Sequence, residues 1–200
     1  MTKEIKKVGI IGAGQMGMGI SHVCAISGLP IVLVDVSDDI LSKAYATIER
    51  NLKRQAGRGL ISDKDRDAAL GLIATSTDFS ALKDCDLVIE AATEDEDVKS
   101  QIYEKVCAVL PEDTFLTTNT SSISITRLAA KTDRPEKFMG LHFMNPAPLM
   151  ELVELIRGIA TDAETFDSVK DFVTKLGKAS VSSEVTNAAT SPVNSRSLGT

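Results

Sequence analysis

Only two histidines occur in this 200-residue sequence, and His142 ends an apolar run at residues 138–143 that reads as a strand. Asn145-Pro146-Ala147-Pro148 then turns the chain, and a second apolar run at residues 150–156 carries Glu154. If the two runs pair as a hairpin, imidazole and carboxylate meet. A carboxylate on one ring nitrogen sets the tautomer and steadies the imidazolium, leaving the other nitrogen as a general base. Asn119 and Ser121 would add an amide and a hydroxyl near a carbonyl substrate. From spacing alone a core histidine at a strand end is the commoner outcome, so both readings stand. His22, inside a helical pattern, reads as structural.

A second set of residues binds rather than reacts. In Val8-Gly9-Ile10-Ile11-Gly12-Ala13-Gly14-Gln15-Met16-Gly17, an apolar run ends in Gly-x-Gly-x-x-Gly as a helical pattern begins. Gly12 would permit the tight turn, Gly14 a close approach of a pyrophosphate, and Gly17 tight packing of helix on strand. Helix N-terminal N–H groups would hold the phosphates. A lone motif of this kind also suits any glycine-rich α/β turn. Asp35 narrows the choice: it ends the next apolar run, 18 residues after Gly17. That is near the spacing of the acid that accepts the ribose hydroxyls, and an acid there favours NAD over NADP.

These residues require a frame. Residues 6–11 read as a strand, with a continuous apolar run from Val8 to Ile11 as in a parallel strand buried on both faces. Residues 16–27 follow at helical spacing, with Gly28 as the stop, and residues 31–35 form the second strand. A long helix is expected over residues 37–58 and a shorter one, capped from Ser62, to Leu70. This helical hairpin exceeds what a crossover needs, and its Lys53, Arg54 and Arg58 either meet an anion or form a solvated face. Strands at 72–75, 85–92 and 113–118 alternate with a helical turn at 79–82 and a helix running from the acidic 93–99 to Pro111. A helix over 123–130 precedes the strand that ends at His142. Thr161-Asp162-Ala163-Glu164 reads as a capping box opening a last helix to Leu176. The alternation specifies an α/β fold, a Rossmann-type doubly wound and mostly parallel sheet with a helical hairpin inserted after strand 2. Residues 12–17, 35, 91–94, 119–122 and 142–145 all fall at carboxyl ends of strands, where such sheets bind ligands.

Composition narrows the partners. Against 28 Asp and Glu stand 22 Lys and Arg, a net charge of −6 without a basic run. Nucleic acid and anionic membranes are therefore disfavoured. No apolar stretch reaches the length of a membrane span, and residues 1–4 open no signal peptide. Cys24, Cys85 and Cys107 lack C-x-x-C spacing and read as buried thiols of a reducing compartment, the cytoplasm or an organelle matrix, with no metal role. Beyond one domain at residues 1–181, residues 182–200 are rich in Ser, Thr, Asn, Ala and Pro and are expected to form a disordered polar tail.

The chain resembles the NAD-binding domain of the 3-hydroxyacyl-CoA dehydrogenases, and in particular the bacterial 3-hydroxybutyryl-CoA dehydrogenases. The carrying residues are the 12–17 glycine loop, Asp35, the segment Leu87-Val88-Ile89-Glu90-Ala91-Ala92-Thr93-Glu94, Asn119-Thr120-Ser121-Ser122, and the block from His142 to Glu154. The resemblance implies NAD-dependent oxidation of (3S)-3-hydroxyacyl-CoA to 3-oxoacyl-CoA and the reverse. It makes His142 the catalytic base, oriented by Glu154, with Ser121 on the substrate oxygen. Gly12, Gly14, Gln15, Met16, Gly17, Asp35, Glu94, Lys99, Asn119, Ser121 and Asn145 would contact NAD or shape its pocket. Where the family touches coenzyme A with a serine and a lysine, this sequence has Asn51 and Arg58, and Arg still pairs with a phosphate. Family members continue into a helical domain that closes the substrate site and makes a homodimer. Residues 191–196 match the start of that region poorly, so a truncated, weakly active or inactive NAD-binding module is the alternative.

Overall fold

The computed structural model describes residues 2–184. In chain order the first elements are β1 (Val8–Ile11), α1 (Gln15–Ile26), β2 (Ile31–Val34), α2 (Asp38–Gly57), α3 (Asp63–Gly71) and β3 (Ile73–Ser76). A 3-10 turn at Phe79–Leu82 leads to β4 (Leu87–Glu90), α4 (Glu96–Cys107), β5 (Phe115–Thr118) and α5 (Ile125–Ala129). After a second 3-10 turn come β6 (Phe138–Phe143), β7 (Leu152–Arg157), α6 (Ala163–Lys175) and β8 (Ala179–Glu184).

The eight strands form one sheet in the order β3-β2-β1-β4-β5-β6-β7-β8. Strands β1 to β6 run parallel, β7 is antiparallel to β6, and β8 is parallel to β7. This is the Rossmann-type order expected, with its switch point between β1 and β4.

Both faces of the sheet are covered, so β1, β2, β4 and β5 are buried at every position and mostly apolar. Ile10, Leu33 and Ile89 pack under Ile20 of α1, Ile48 and Leu52 of α2, and Val169 and Phe172 of α6. On the other face, Ile11, Val34, Val88 and Leu116 meet Val106 of α4 and Leu128 of α5. Each Leu or Ile buried in this way contributes roughly 1.5–3 kcal/mol. The helical hairpin is α2 and α3, whose Leu52 and Ala69 join the same core.

Three local expectations change. The predicted tail begins too early: residues 182–184 belong to β8, which pairs with β7 from Leu152↔Ala179 to Arg157↔Glu184. Ladder hydrogen bonds hold this edge strand, while Ala179, Val181, Ser182 and Ser183 stay exposed, so no apolar periodicity marks it. The rest of the expected tail, 185–200, lies outside the described residues. Second, Asp162 and not Thr161 caps α6, accepting the Thr165 N–H at 2.7 Å. Thr161 is engaged elsewhere, donating through Oγ1 to Phe138 O and accepting the Gly158 N–H. Third, α4 starts at Glu96 behind the cap Asp95, which leaves Glu94 in the loop.

Candidate active site

A cleft of about 870 Å³ opens along the carboxyl ends of β1, β2, β4, β5 and β6. Its floor is the glycine loop. Gly12 has φ of +99°, and a Cβ there would meet Ala91 O at 2.6 Å. Gly17 lies beneath the loop, where an added Cβ would come 1.7 Å from Gly12 O. At Gly14, by contrast, an added Cβ meets nothing within 4 Å, so this position is open towards the cleft it lines. Gly14 caps α1 with no side-chain acceptor, which leaves the first-turn N–H groups to phosphate oxygens. The chain therefore fits a dinucleotide on its own geometry.

Asp35 caps no helix. Its Oδ2 accepts the Ala13 N–H at 2.7 Å and its Oδ1 the Val36 N–H at 2.8 Å. Each carboxylate oxygen keeps acceptor capacity, so the acid is locked to the glycine loop and still able to take ribose hydroxyls. Val34, Ile40, Phe79 and Ile102 surround it with apolar surface suited to a planar base.

At the far end of the cleft lies His142. The antiparallel pairing puts it directly opposite Glu154. His142 Nδ1 is 2.8 Å from Glu154 Oε2. A carboxylate accepts, so the neutral ring is assigned the tautomer with Nδ1 protonated and Nε2 as acceptor. The side chains are 18% and 38% exposed, so the pair is open to a ligand. Asn119 Oδ1 accepts the Phe143 N–H at 2.8 Å, fixing the end of β6 against the loop after β5. Asn145, whose peptide bond to Pro146 is cis, accepts from Gln15 Nε2 at 3.2 Å and joins this end to the glycine loop.

Glu94 clamps the loop that carries Ser121. Its Oε1 accepts the Ser121 N–H at 3.0 Å, the Ser122 N–H at 3.2 Å, the Ser122 hydroxyl at 3.0 Å and the Thr120 hydroxyl. Burial raises the Glu94 pKa, but the hydrogen bonds from Thr120, Ser122 and Ser121 and the charge of Lys99 outweigh it. The carboxyl is held below the usual carboxylate range.

Lys99 lies beneath the cleft. It does not line the cleft; its side chain is 1% exposed and its Nζ sits 2.7 and 2.8 Å from the two oxygens of Glu90. Glu94 Oε2 is farther, at 3.9 Å. Glu90, fully buried at the end of β4, also accepts from Tyr103 OH at 2.9 Å, Thr118 Oγ1 at 2.7 Å and the Ala92 N–H at 2.8 Å. Burial, with the Glu90 charge beside it, pushes the Tyr103 hydroxyl up, so it remains a donor. Glu90, Tyr103 and Thr118 were invisible as a site in the sequence. The available signal was an acid ending a strand buried on both faces, which demands partners.

Of the expected contacts, Gly12, Gly14, Gln15, Met16, Asp35, Glu94, Asn119, Ser121, His142 and Asn145 line the cleft. Asn51 and Arg58 lie outside it on α2 and its C-cap, half-buried and exposed respectively. His22 is buried in α1 with Nε2 3.3 Å from Gln55 Oε1, and burial lowers its pKa.

The sequence of residues 7–186 matches the family described as 3-hydroxyacyl-CoA dehydrogenase, NAD binding domain. The chain belongs to this family, and its cofactor is NAD. It is 56% identical over 184 residues to a 3-hydroxybutyryl-CoA dehydrogenase of Bradyrhizobium diazoefficiens, covering 92% of this chain and 63% of that protein. A 3-hydroxyadipyl-CoA dehydrogenase of Escherichia coli is 41% identical over 181 residues, covering 90% of this chain and 38% of that protein. In fold, the chain superposes on the crystal structure of (S)-3-hydroxybutyryl-CoA dehydrogenase from Ralstonia eutropha with a TM-score of 0.89 at 44% identity, covering 90% of this chain and 64% of that one. The chain thus spans less than two thirds of the length of these relatives.

Proposed function

We propose that this domain carries out NAD-dependent interconversion of (3S)-3-hydroxyacyl-CoA, of the 3-hydroxybutyryl-CoA type, and 3-oxoacyl-CoA. The observation that supports it best is the His142–Glu154 pair, 2.8 Å apart with Nε2 unclaimed by the carboxylate, at the end of a dinucleotide cleft. Nε2 takes the proton of the 3-hydroxyl, and Glu154 stabilises the imidazolium that results. Ser121 donates to the substrate oxygen, from a loop held by Glu94. NAD, when bound, supplies the acceptor for the hydride that leaves C3. Gly12, Gly14 and the first turn of α1 hold its phosphates, Asp35 its ribose, and Asn119 and Asn145 bound the end nearest His142. In the reverse direction the same nitrogen returns the proton.

Coenzyme A is assigned to the α2–α3 hairpin, supported by the exposed Lys53, Arg54 and Arg58 at its tip. Its position outside the cleft suits the part of a substrate remote from the reacting carbon. A reducing compartment such as the cytoplasm accords with three free thiols at Cys24, Cys85 and Cys107.

A second reading, an NAD-binding module without turnover, is favoured by the openness of Glu154, 38% exposed where a proton-transfer site benefits from exclusion of water. One experiment separates the two. NADH consumption with acetoacetyl-CoA is expected for the wild-type chain and is expected to fall by on the order of 10²- to 10⁴-fold in His142→Gln. Equal rates for the two proteins remove His142 as the base. NADH binding with no acetoacetyl-CoA turnover in the wild-type chain establishes the module instead.

A further inference from the structure

The segment between His142 and Glu154 is irregular from residue 144 to 151, yet it carries Asn145 at the cleft. Few bonds hold it. Leu149 and Met150 N–H both donate to Pro146 O, at 3.0 and 3.1 Å, closing a single turn. That turn rests on α1, where a Cβ added at Gly19 would meet Ala147 Cβ at 3.3 Å. On its other side lies Lys178, in the link between α6 and β8. Its Nζ donates to Ala147 O at 2.9 Å and to Met150 O at 2.6 Å. The next residue continues the attachment, Ala179 N–H donating to Glu151 O at 2.9 Å.

One ammonium thus satisfies two carbonyls of the same turn, which water would otherwise have to serve. Charge-assisted bonds of this kind are about twice as strong as neutral ones. Burial lowers the Lys178 pKa, with the Glu151 carboxylate opposing the shift, in keeping with an ammonium drawn in from solvent. On one side of the turn Asn145 bonds Gln15 of the glycine loop; on the other the chain enters β7 and reaches Glu154.

We propose that Lys178 is a positioning residue: by holding the Ala147 and Met150 carbonyls it fixes the turn that keeps Asn145 and Gln15 in place at the cofactor cleft. The proposal rests on the NAD site and not on acyl-CoA turnover. Nothing in the motifs of the site points to it, since Lys178 lies 33 residues beyond Asn145 on another element.

The test compares Lys178→Met and Lys178→Arg with the wild-type chain by amide hydrogen exchange without cofactor and by NADH titration. In Lys178→Met the Leu149 and Met150 amides are expected to exchange about tenfold faster, with α6 and β1 unchanged. NADH affinity is expected to fall about three- to fivefold, and Lys178→Arg to recover most of it. If Lys178→Met does not stay folded, Lys178→Gln, which reaches one carbonyl, carries the same two readouts at smaller amplitude. Exchange and affinity equal to wild type overturn the proposal. So does faster exchange spread evenly over α6 and the sheet, which marks a loss of general stability.

Discussion

Two acid–base pairs sit near the carboxyl edge of the same sheet at almost the same separation, and they serve opposite ends. Glu90 and Lys99 are 2.7 Å apart and at most 1% exposed; His142 and Glu154 are 2.8 Å apart and 18% and 38% exposed. The Glu90 carboxylate is saturated, with Lys99, Tyr103, Thr118 and the Ala92 N–H all donating to it. His142 has one nitrogen on Glu154, and no hydrogen-bond partner among the described residues engages the other. Charge separation alone does not distinguish structural pairs from reactive ones. A buried pair with every lone pair engaged has no valence left for chemistry, and breaking it leaves an uncompensated charge. A half-exposed pair with one group unengaged contributes little to stability and can move a proton.

The sharpest way to break this contrast is Glu154→Gln. Glutamine no longer stabilises a charged imidazole and can reverse its tautomer, so turnover should fall by on the order of 10²- to 10⁴-fold. Thermal unfolding should stay close to wild type. A large loss of Tm with turnover intact would reverse the roles of the two pairs.

Lys99→Met is the converse. It leaves the Glu90 carboxylate buried without its cation and should destabilise the domain by about 3–5 kcal/mol. At this chain length that corresponds to a Tm lower by roughly 10 °C in a calorimetric scan. The double variant Glu90→Gln/Lys99→Met should recover part of the loss, because the unpaired charge is gone. A Tm within a degree or two of wild type for Lys99→Met alone would show that the pair is not structural.

Glu94, 40% exposed, stands between the two extremes and should show the smallest effect. Its folded pKa is lowered, so the stability from its clamp on residues 120–122 is fully present above the unfolded value of about 4.3 and is lost as pH falls through the folded one. Solvent screening keeps this below about 1 kcal/mol. Denaturant melts from pH 7 to pH 3 should show a slightly steeper acid loss for wild type than for Glu94→Gln. Parallel curves would mean that the clamp contributes no net stability.

The legible parts of the site were those written locally. The glycine loop, Asp35 and the His142–Glu154 block each depend on a short apolar run and the polar residue that ends it. Such a run becomes a buried parallel strand, and its last residue falls at the ligand edge. Less legible were residues whose role depends on what they meet. β8 escaped notice because an edge strand needs backbone partners and not an apolar period. Thr161 and Asp162 both suit a helix cap, and the choice went to Asp162 because the Thr161 hydroxyl is drawn to the Phe138 carbonyl.

What the sequence determined by itself was the order of elements, the dinucleotide loop, the preference for an acid at Asp35, and the block in which a histidine and a glutamate could face one another. Apolar period, glycine and caps act within a few residues, so a linear reading reaches them. Only the tertiary structure decided that Lys99 pairs with Glu90 beneath the cleft, that Glu94 is left to hold the serine loop, and that Lys178 reaches the turn before Glu154. Those choices depend on which side chains are sealed from water. An ion in the interior must take the partner that packing brings within reach, and no spacing along the chain states which one that is.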